Sequence, residues 1–287
     1  MKVDRVILCW DGNPLYDHFW NLYSKIWCLK YGITPTLFFV GSHEKMRSLN
    51  LSKDFGEVYF LPQPPEVIPP NAELNWSVTW AFFWGAAQFK DETCMTCGLD
   101  QLPMSSFFFE SLSGIADDKY VIGFADAYKD YGDILGYRLQ KSLIKEKGLY
   151  ARAVADYFPS SHHVAKGSLY EKVYHIEKSW EHEVKKVFYF SKERYKIKPS
   201  QKLWGLDECY SSELIFNFHN PEVFHLYDNF HSHWHPNRID RGFNADYDLE
   251  KLKNGSYSEY HSHRPYTEHK QYIDTLLHNL APNISIV

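Results

Sequence analysis

Apolar and polar positions in the first part of the chain switch between two periods. Val3 to Trp10 is a short apolar run closed by Asp11, Gly12 and Asn13, the pattern of a buried strand followed by a turn. A helical period takes over at once: with Asp17 as N-cap, Phe19, Leu22, Tyr23, Ile26, Trp27 and Lys30 fall on one packed face, and Gly32 is the stop. Thr36 to Val40, ended by Gly41, is the next strand. The opening of the chain therefore predicts β-α-β, a parallel pair joined by a right-handed crossover.

The same alternation continues. Val58 to Leu61 reads as a third strand, Pro62 to Pro70 as a Pro-rich surface connection, and Trp76 to Phe89 as a helix with Trp76, Trp80, Phe83, Trp84 and Ala87 on one face. Cys94 to Leu99 is an apolar or small run that ends on Asp100, before Gln101, Leu102 and a Pro103 that cannot extend a central ladder. Ser105 to Leu112 is expected to be helical, and Tyr120 to Phe124 is a strand ending near Asp126. Tyr131 to Val154 has no clear period and is expected to cover the site. Between His162 and Tyr174 a short helix begins at Lys166 and Gly167. Glu177 to Arg194 reads as a charged, solvated helix, Tyr210 to Ile215 as another helix, and Tyr266 to Leu280 as the last. The stretch from Phe224 to His269 is irregular and dense in His, Tyr and Arg. Strands and helices in turn give an α/β class, a mixed but mostly parallel sheet flanked by helices, and without a convincing linker the 287 residues form a single domain.

Composition narrows the function. The formal net charge is -5 and no Lys/Arg block forms a stripe, which disfavours nucleic acid as a partner. The 5 Cys are odd in number and sparse, which suits a reducing compartment. The apolar run at the N-terminus is too short for a signal-peptide core, and no run approaches the length of a transmembrane segment. A soluble, cytoplasmic protein is expected, at most peripheral at a membrane. Aromatic residues make up 17%, with 21 Tyr, 20 Phe and 9 Trp. Sugar and base stacking would use such an excess, and so would ordinary packing.

The candidate chemistry starts from Asp100. A carboxylate at the C-terminal end of a buried strand sits where open α/β sheets bind ligands, although Asp is also a common turn residue. Asp11, Asn13 and Tyr16 occupy the equivalent end of the first strand, with a simple turn as the alternative. Cys94 and Cys97 form C-x-x-C, but residues three apart on a strand point to opposite faces and no second pair follows, so they read as core thiols. His231, His233 and His235 alternate and could share a strand face, but no carboxylate pattern supports a zinc site there.

From Gly98 to Ser105, GLDQLPMS, the sequence resembles the nucleotide-sugar glycosyltransferases of the GT-A fold, whose signature is Asp-x-Asp at a strand end. Gly98 stands where the first Asp would be, so Asp100 alone remains of the pair. Later stretches resemble the same enzymes in the same order. Tyr157 to Gly167 is similar to a segment lining the donor side, and Trp204 to Glu208, WGLDE, is similar to the acidic pair facing the acceptor. Asn237, Arg238, Asp240 and Arg241, then Tyr257, Glu259, His261, Arg264, Pro265 and Tyr266, resemble the segment that closes over the diphosphate.

The resemblance implies a GT-A fold, with residues 1–130 as the nucleotide-sugar-binding half and residues 131–287 as the acceptor side and closing segment. It implies transfer of a sugar from a UDP- or GDP-linked donor to a hydroxyl of a glycan acceptor. Asp207 or Glu208 is then the catalytic base, Asp207 preferred, with a helix-capping role as the alternative. Asp11, Asn13, Tyr16, Asp100, Lys166, Arg238, Arg241 and Arg264 form the donor side, and Asp126, Tyr128 and Trp204 the acceptor side. Mn²⁺ or Mg²⁺ is expected on Asp100 and His261, because oxygen ligands suit hard cations. With Gly98 in the motif, the cations alone would otherwise carry the leaving-group charge. A direct base favours inversion. A retaining transferase and a catalytically silent sugar-nucleotide or glycan-binding module are the alternatives.

Overall fold

The computed structural model describes residues 1–63, 76–128, 157–177, 179–195, 206–227, 237–242 and 246–285. Its strands and helices run β1 Arg5–Trp10, α1 Phe19–Tyr31, β2 Thr34–Gly41, α2 His43–Ser48, β3 Glu57–Pro62, α3 Trp76–Ala87, β4 Thr93–Thr96, β5 Gln101–Pro103, α4 Phe107–Leu112 and β6 Tyr120–Gly123. They continue with β7 His163–Lys166, α5 Gly167–Tyr174, α6 Trp180–Tyr195, α7 Leu206–Phe216, β8 Phe224–Tyr227, β9 Arg238–Asp240, α8 Leu249–Lys253, β10 Glu259–His261 and α9 Tyr266–Leu280.

A seven-stranded sheet in the order β3-β2-β1-β4-β7-β6-β8 forms the centre. β1 pairs in parallel with both β2 and β4, as the β-α-β pattern requires, and β2 with β3. β7 is the exception, antiparallel to β4 and to β6, while β6 and β8 are again parallel. A second sheet, β5-β10-β9, lies on the C-terminal side of β4 in the chain and pairs β10 antiparallel to β5 and parallel to β9.

Two apolar cores follow from the pleat. One contains Trp80, Phe83, Cys94, Tyr120, Tyr170, Tyr174 and Val184, the other Trp20, Tyr23, Trp27, Phe39, Cys97, Leu102, Ile239 and Tyr260. Cys94 and Cys97 thus lie in different cores, as their spacing on the strand requires. Helix α1 ends where expected, at Gly32 with φ 65, a left-handed C-cap that glycine adopts without cost. Its start differs: the N-cap is His18 with φ 76, not Asp17.

Two further expectations are corrected, for α6 and for the stretch from Phe224 to His269. The α6 segment is not simply solvated, since Trp180, Glu183, Val184 and Val187 are buried against α3 and α7. The short polar helix α2 and the strand β7 were not anticipated. The segment read as irregular contains β8, β9, α8 and β10. Pro103 extends no central ladder, as expected: it ends β5, an edge strand, where a missing N–H is tolerated. Among the described residues no helix is long and apolar enough to cross a membrane. The segment Tyr131 to Val154, Trp204, and the His231, His233 and His235 group lie outside the described residues, as does most of the Pro62 to Pro70 connection.

Candidate functional site

Asp100 is placed by a tight turn. Gln101 N–H donates to the Gly98 carbonyl (3.0 Å), and the Gln101 side-chain oxygen accepts from Gly98 N–H (2.8 Å), so β4 hands over to β5 within four residues. A side chain on Gly98 would place its Cβ 2.6 Å from Gln101 Oε1, so a larger residue here requires the Gln101 side chain to give up its bond to the residue 98 N–H. The turn is buried: Asp100 is only 5% exposed and its carbonyl accepts from Ser262 N–H at 2.8 Å.

Two guanidiniums and an imidazole converge on Asp100 Oδ2. Arg241 Nη1 lies 2.7 Å away, His261 Nε2 3.4 Å and Arg264 Nη1 3.5 Å. Burial alone would raise the carboxyl, but His261, Arg241 and Arg264 hold it down at about 2, an ionised carboxylate at any ordinary pH. Arg264 also donates to the Tyr16 hydroxyl and lies over its ring at 4.7 Å, which ties the end of β1 into the cluster.

The small sheet supplies the rest by its register. Glu259 pairs with Arg238 and His261 with Asp240 across β10 and β9, so all four stand on one face, while Tyr260 and Ile239 between them enter the core. His261 Nδ1 lies 2.9 Å from Asp240 Oδ2, Arg238 Nη2 3.5 Å from Asp240, and Arg238 Nε 3.5 Å from Glu259. Burial works against the His261 cation, but its hydrogen bonds to Asp100 and Asp240 outweigh it and raise the imidazole. Glu259 is raised by burial, against the pull of Arg238 and His261. Neither of its oxygens accepts a hydrogen bond among the described residues.

The acidic pair lies in the first turn of α7, which starts earlier than expected, at Leu206. Asp207 accepts from the Ser160 hydroxyl; Glu208 Oε1 accepts from Tyr128 OH (3.1 Å) and Ser160 N–H (3.2 Å). Glu208 Oε2 is buried with no hydrogen-bond partner among the described residues. Burial, then the Asp207 charge, push Glu208 up to about 8, and burial raises Asp207 as well. Two adjacent buried carboxyls cannot both ionise freely, so the pair holds a proton near neutrality.

One segment joins the two groups. Ser160 meets the acidic pair, its carbonyl accepts from the Thr96 hydroxyl at the end of β4 (2.7 Å), and His162 Nε2 lies 3.6 Å from Glu259. His162 is buried in the left-handed region at φ 65, against Phe124 at φ 55, with ring centroids 4.5 Å apart. Burial, followed by Arg238, lowers the His162 imidazole, so it is neutral. Strained backbone of this kind persists only where its surroundings enforce it.

Most of the expected residues therefore gather at the edge of the sheet where β1, β4 and β6 end: Tyr16, Asp100, Arg238, Arg241, His261 and Arg264 in one group, and Tyr128, Asp207 and Glu208 in the other. Asp126 follows β6 on that edge and is buried, but β7 stands between β6 and β4, so it is not on the adjacent strand. Asp11 and Asn13 shape the turn after β1: Asp11 accepts from Asn13 N–H (3.0 Å) and Asn13 from Leu15 N–H (3.1 Å). Lys166 is a correction. Because β7 runs against β4, Lys166 pairs with Thr93 at the start of β4, the opposite end from Asp100, and its side chain is exposed there. The resemblance covers Ser160 and His162 in the donor-side segment and Asp240 and Glu259 in the closing segment, but it gives none of the four an individual role. The alternation Arg-Ile-Asp and Glu-Tyr-His was the available signal for two of them.

A divalent cation on Asp100 and His261 finds little to hold it. The two are neighbours, but as an ion pair, and among the described residues no group of three or more His, Cys, Asp or Glu side chains is gathered to bind a metal.

No protein-family model and no curated protein matches the chain. Solved structures do match. The galactosyltransferase LgtC, in complex with donor and acceptor sugar analogues, aligns over 98% of this chain and 96% of its own at 11% identity and a TM-score of 0.50. A structure of an active-site mutant of LgtC aligns over 91% of this chain and 88% of its own, at 13% identity and a TM-score of 0.50. The likeness is one of fold: this is the GT-A glycosyltransferase architecture, a mixed α/β sheet flanked by helices.

Proposed function

We propose that the protein transfers a sugar from a nucleotide diphosphate donor, UDP- or GDP-linked, to a hydroxyl of a glycan acceptor. The observation that carries this reading is the convergence of Arg241, Arg264 and His261 on Asp100 in the turn after β4, at the edge where open α/β sheets take their ligands. Glycosyl transfer must stabilise a departing diphosphate, and guanidinium forks match phosphate oxygens. Arg238, Arg241 and Arg264 hold the diphosphate, with Tyr16 on the nucleoside side beside Asp11 and Asn13.

The second requirement is a base for the acceptor hydroxyl. Glu208 suits it better than Asp207, because Asp207 binds the Ser160 hydroxyl while Glu208 Oε2 accepts no hydrogen bond among the described residues. An acidity raised toward neutral matches that task. Glu208 removes the hydroxyl proton as the acceptor oxygen attacks the anomeric carbon, and the nucleoside diphosphate leaves, which inverts the configuration. Asp126 and Tyr128 line the acceptor side, with Trp204 just ahead of α7. The chain works as one domain, residues 1–130 binding the nucleotide sugar and residues 131–287 supplying the acceptor side and the C-terminal segment that closes over the diphosphate. Its five free thiols fit a reducing, cytoplasmic compartment.

Nucleotide release from a panel of UDP- and GDP-sugars, with glycan acceptors and product analysis by NMR, tests the reading. Release with an inverted anomeric product is expected. Binding without release would make the protein a silent sugar-nucleotide module, a retained anomeric centre would remove the direct base, and neither binding nor release would overturn the whole reading.

A further inference from the structure

The residues around Asp100 do not fit a divalent cation, and they do fit a diphosphate directly. Asp100 lies beneath its partners: its side chain is 7% exposed, while Arg241, Arg264 and His261 above it keep 24%, 23% and 22% of theirs. An incoming ligand therefore meets the cations first. A metal would have to displace three cationic groups from Oδ2 to reach it. The neighbouring carboxylate, Asp240, is equally committed, with Oδ2 toward His261 and Oδ1 accepting from Gly242 N–H at 2.8 Å.

The guanidiniums, by contrast, have capacity to spare. The contacts of Arg241 with Asp100 and with the Ser262 carbonyl (2.9 Å) both come from Nη1, and Arg264 also reaches Asp100 through Nη1. A guanidinium carries five N–H donors in a fixed fork, so Nη2 and Nε remain to meet a second oxyanion.

Resting on the glycosyltransferase reading, we propose that Arg241, Arg264 and His261 take the place of a divalent ion, so that this site binds the diphosphate of a nucleotide sugar without metal. Asp100 is then a positioning residue. It is the counter-charge that orders the three cations from below, and not a ligand to a metal. Gly98 belongs to the same design, because in the turn that seats Asp100 under the cations a Cβ at this position would lie 2.6 Å from Gln101 Oε1, so a second carboxylate there requires the Gln101 side chain to move.

Calorimetric titration of the full chain with UDP, GDP and inorganic pyrophosphate in EDTA tests this. UDP or GDP, and pyrophosphate, are expected to bind in EDTA, and Mn²⁺ is expected to change the nucleotide affinity by less than about threefold. Arg241→Gln and Arg264→Gln should each weaken binding about tenfold or more in EDTA. Asp100→Asn separates the two roles by metal. Asn keeps an acceptor for Arg241 but loses the ordering charge, so binding in EDTA should weaken by no more than about threefold and equally with Mn²⁺, whereas loss of a metal ligand would remove only the binding that depends on Mn²⁺. Circular dichroism confirms that each variant is folded. Nucleotide binding that appears only with Mn²⁺, arginine variants that bind normally, or an Asp100→Asn variant more than about threefold weaker would each overturn the inference and leave glycosyl transfer standing. No binding of any of the three probes, in EDTA or with Mn²⁺, would overturn both.

Discussion

Tyr128 donates its hydroxyl to Glu208 across 3.1 Å, so the loop that follows β6 is fastened to the first turn of α7. The bond stabilises the carboxylate form of Glu208 and is one of the few influences opposing its burial. Tyr128→Phe should therefore move the acidic limb of a pH–rate profile to higher pH. Glu208→Gln should lower kcat by about 10²- to 10⁴-fold, the usual contribution of a general base. Initial-rate measurements across pH on the three proteins check both.

The acidic pair also makes stability depend on pH. Glu208 in the folded chain holds its proton up to about 8, well above an ordinary carboxyl. A raised folded value means that the stabilisation is fully present below the unfolded carboxyl value and is lost as pH rises through the folded one. The melting temperature should thus fall between about pH 5 and about pH 9, and Glu208→Gln should flatten that slope. A series of thermal melts on both proteins reads the difference directly.

Restoring the missing carboxylate of the Asp-x-Asp pattern should harm the protein. Gly98→Asp drives a Cβ into Gln101 Oε1, at 2.6 Å, and displaces the amide that accepts from the residue 98 N–H. Overpacking of this kind costs about 1–3 kcal/mol. Shortening the obstacle in a Gly98→Asp, Gln101→Ala double variant should recover part of the loss. Chemical denaturation of the two single variants and the double variant measures the coupling.

Ile239 is fully buried between the charged residues of β9. Ile239→Ala should cost about 2–5 kcal/mol, the range for truncating a buried aliphatic side chain. Because Arg238 and Asp240 flank it on the same strand, the variant should also weaken nucleotide binding, read by calorimetry at a temperature where it remains folded.

The parts of this fold that could be read in the sequence are those whose signal is local. β1, α1 and β2 announce themselves through an apolar run, a packed helical face and a terminal glycine, and α9 runs from Tyr266 to Leu280 as its period predicts. β7 could not be read that way, because its four residues carry no pattern that distinguishes parallel from antiparallel insertion. That is why Lys166 was expected beside Asp100 when it lies at the other end of β4. The site is non-local in a stronger sense. Asp100 and Arg241 are 141 residues apart in the chain, and the pairing of β5 with β10 and of β10 with β9 brings them together. Resemblance supplied Arg241, His261 and Arg264 as residues of interest, but that all three would spend their charge on one carboxylate oxygen is a property of the turn at Gly98.

The small sheet carries its chemistry and its anchoring on alternate residues of the same strands. Arg238, Asp240, Glu259 and His261 share one face, while Ile239 and Tyr260 hold the ribbon to the core. Inserting or deleting one residue within either strand would exchange the two faces, pulling the charges out of their ion pairs and the apolar row out of the core. Variation in this ribbon is therefore confined to substitution. A side chain can change at a fixed position, whereas a change in strand length would cost the charged cluster and the fold together.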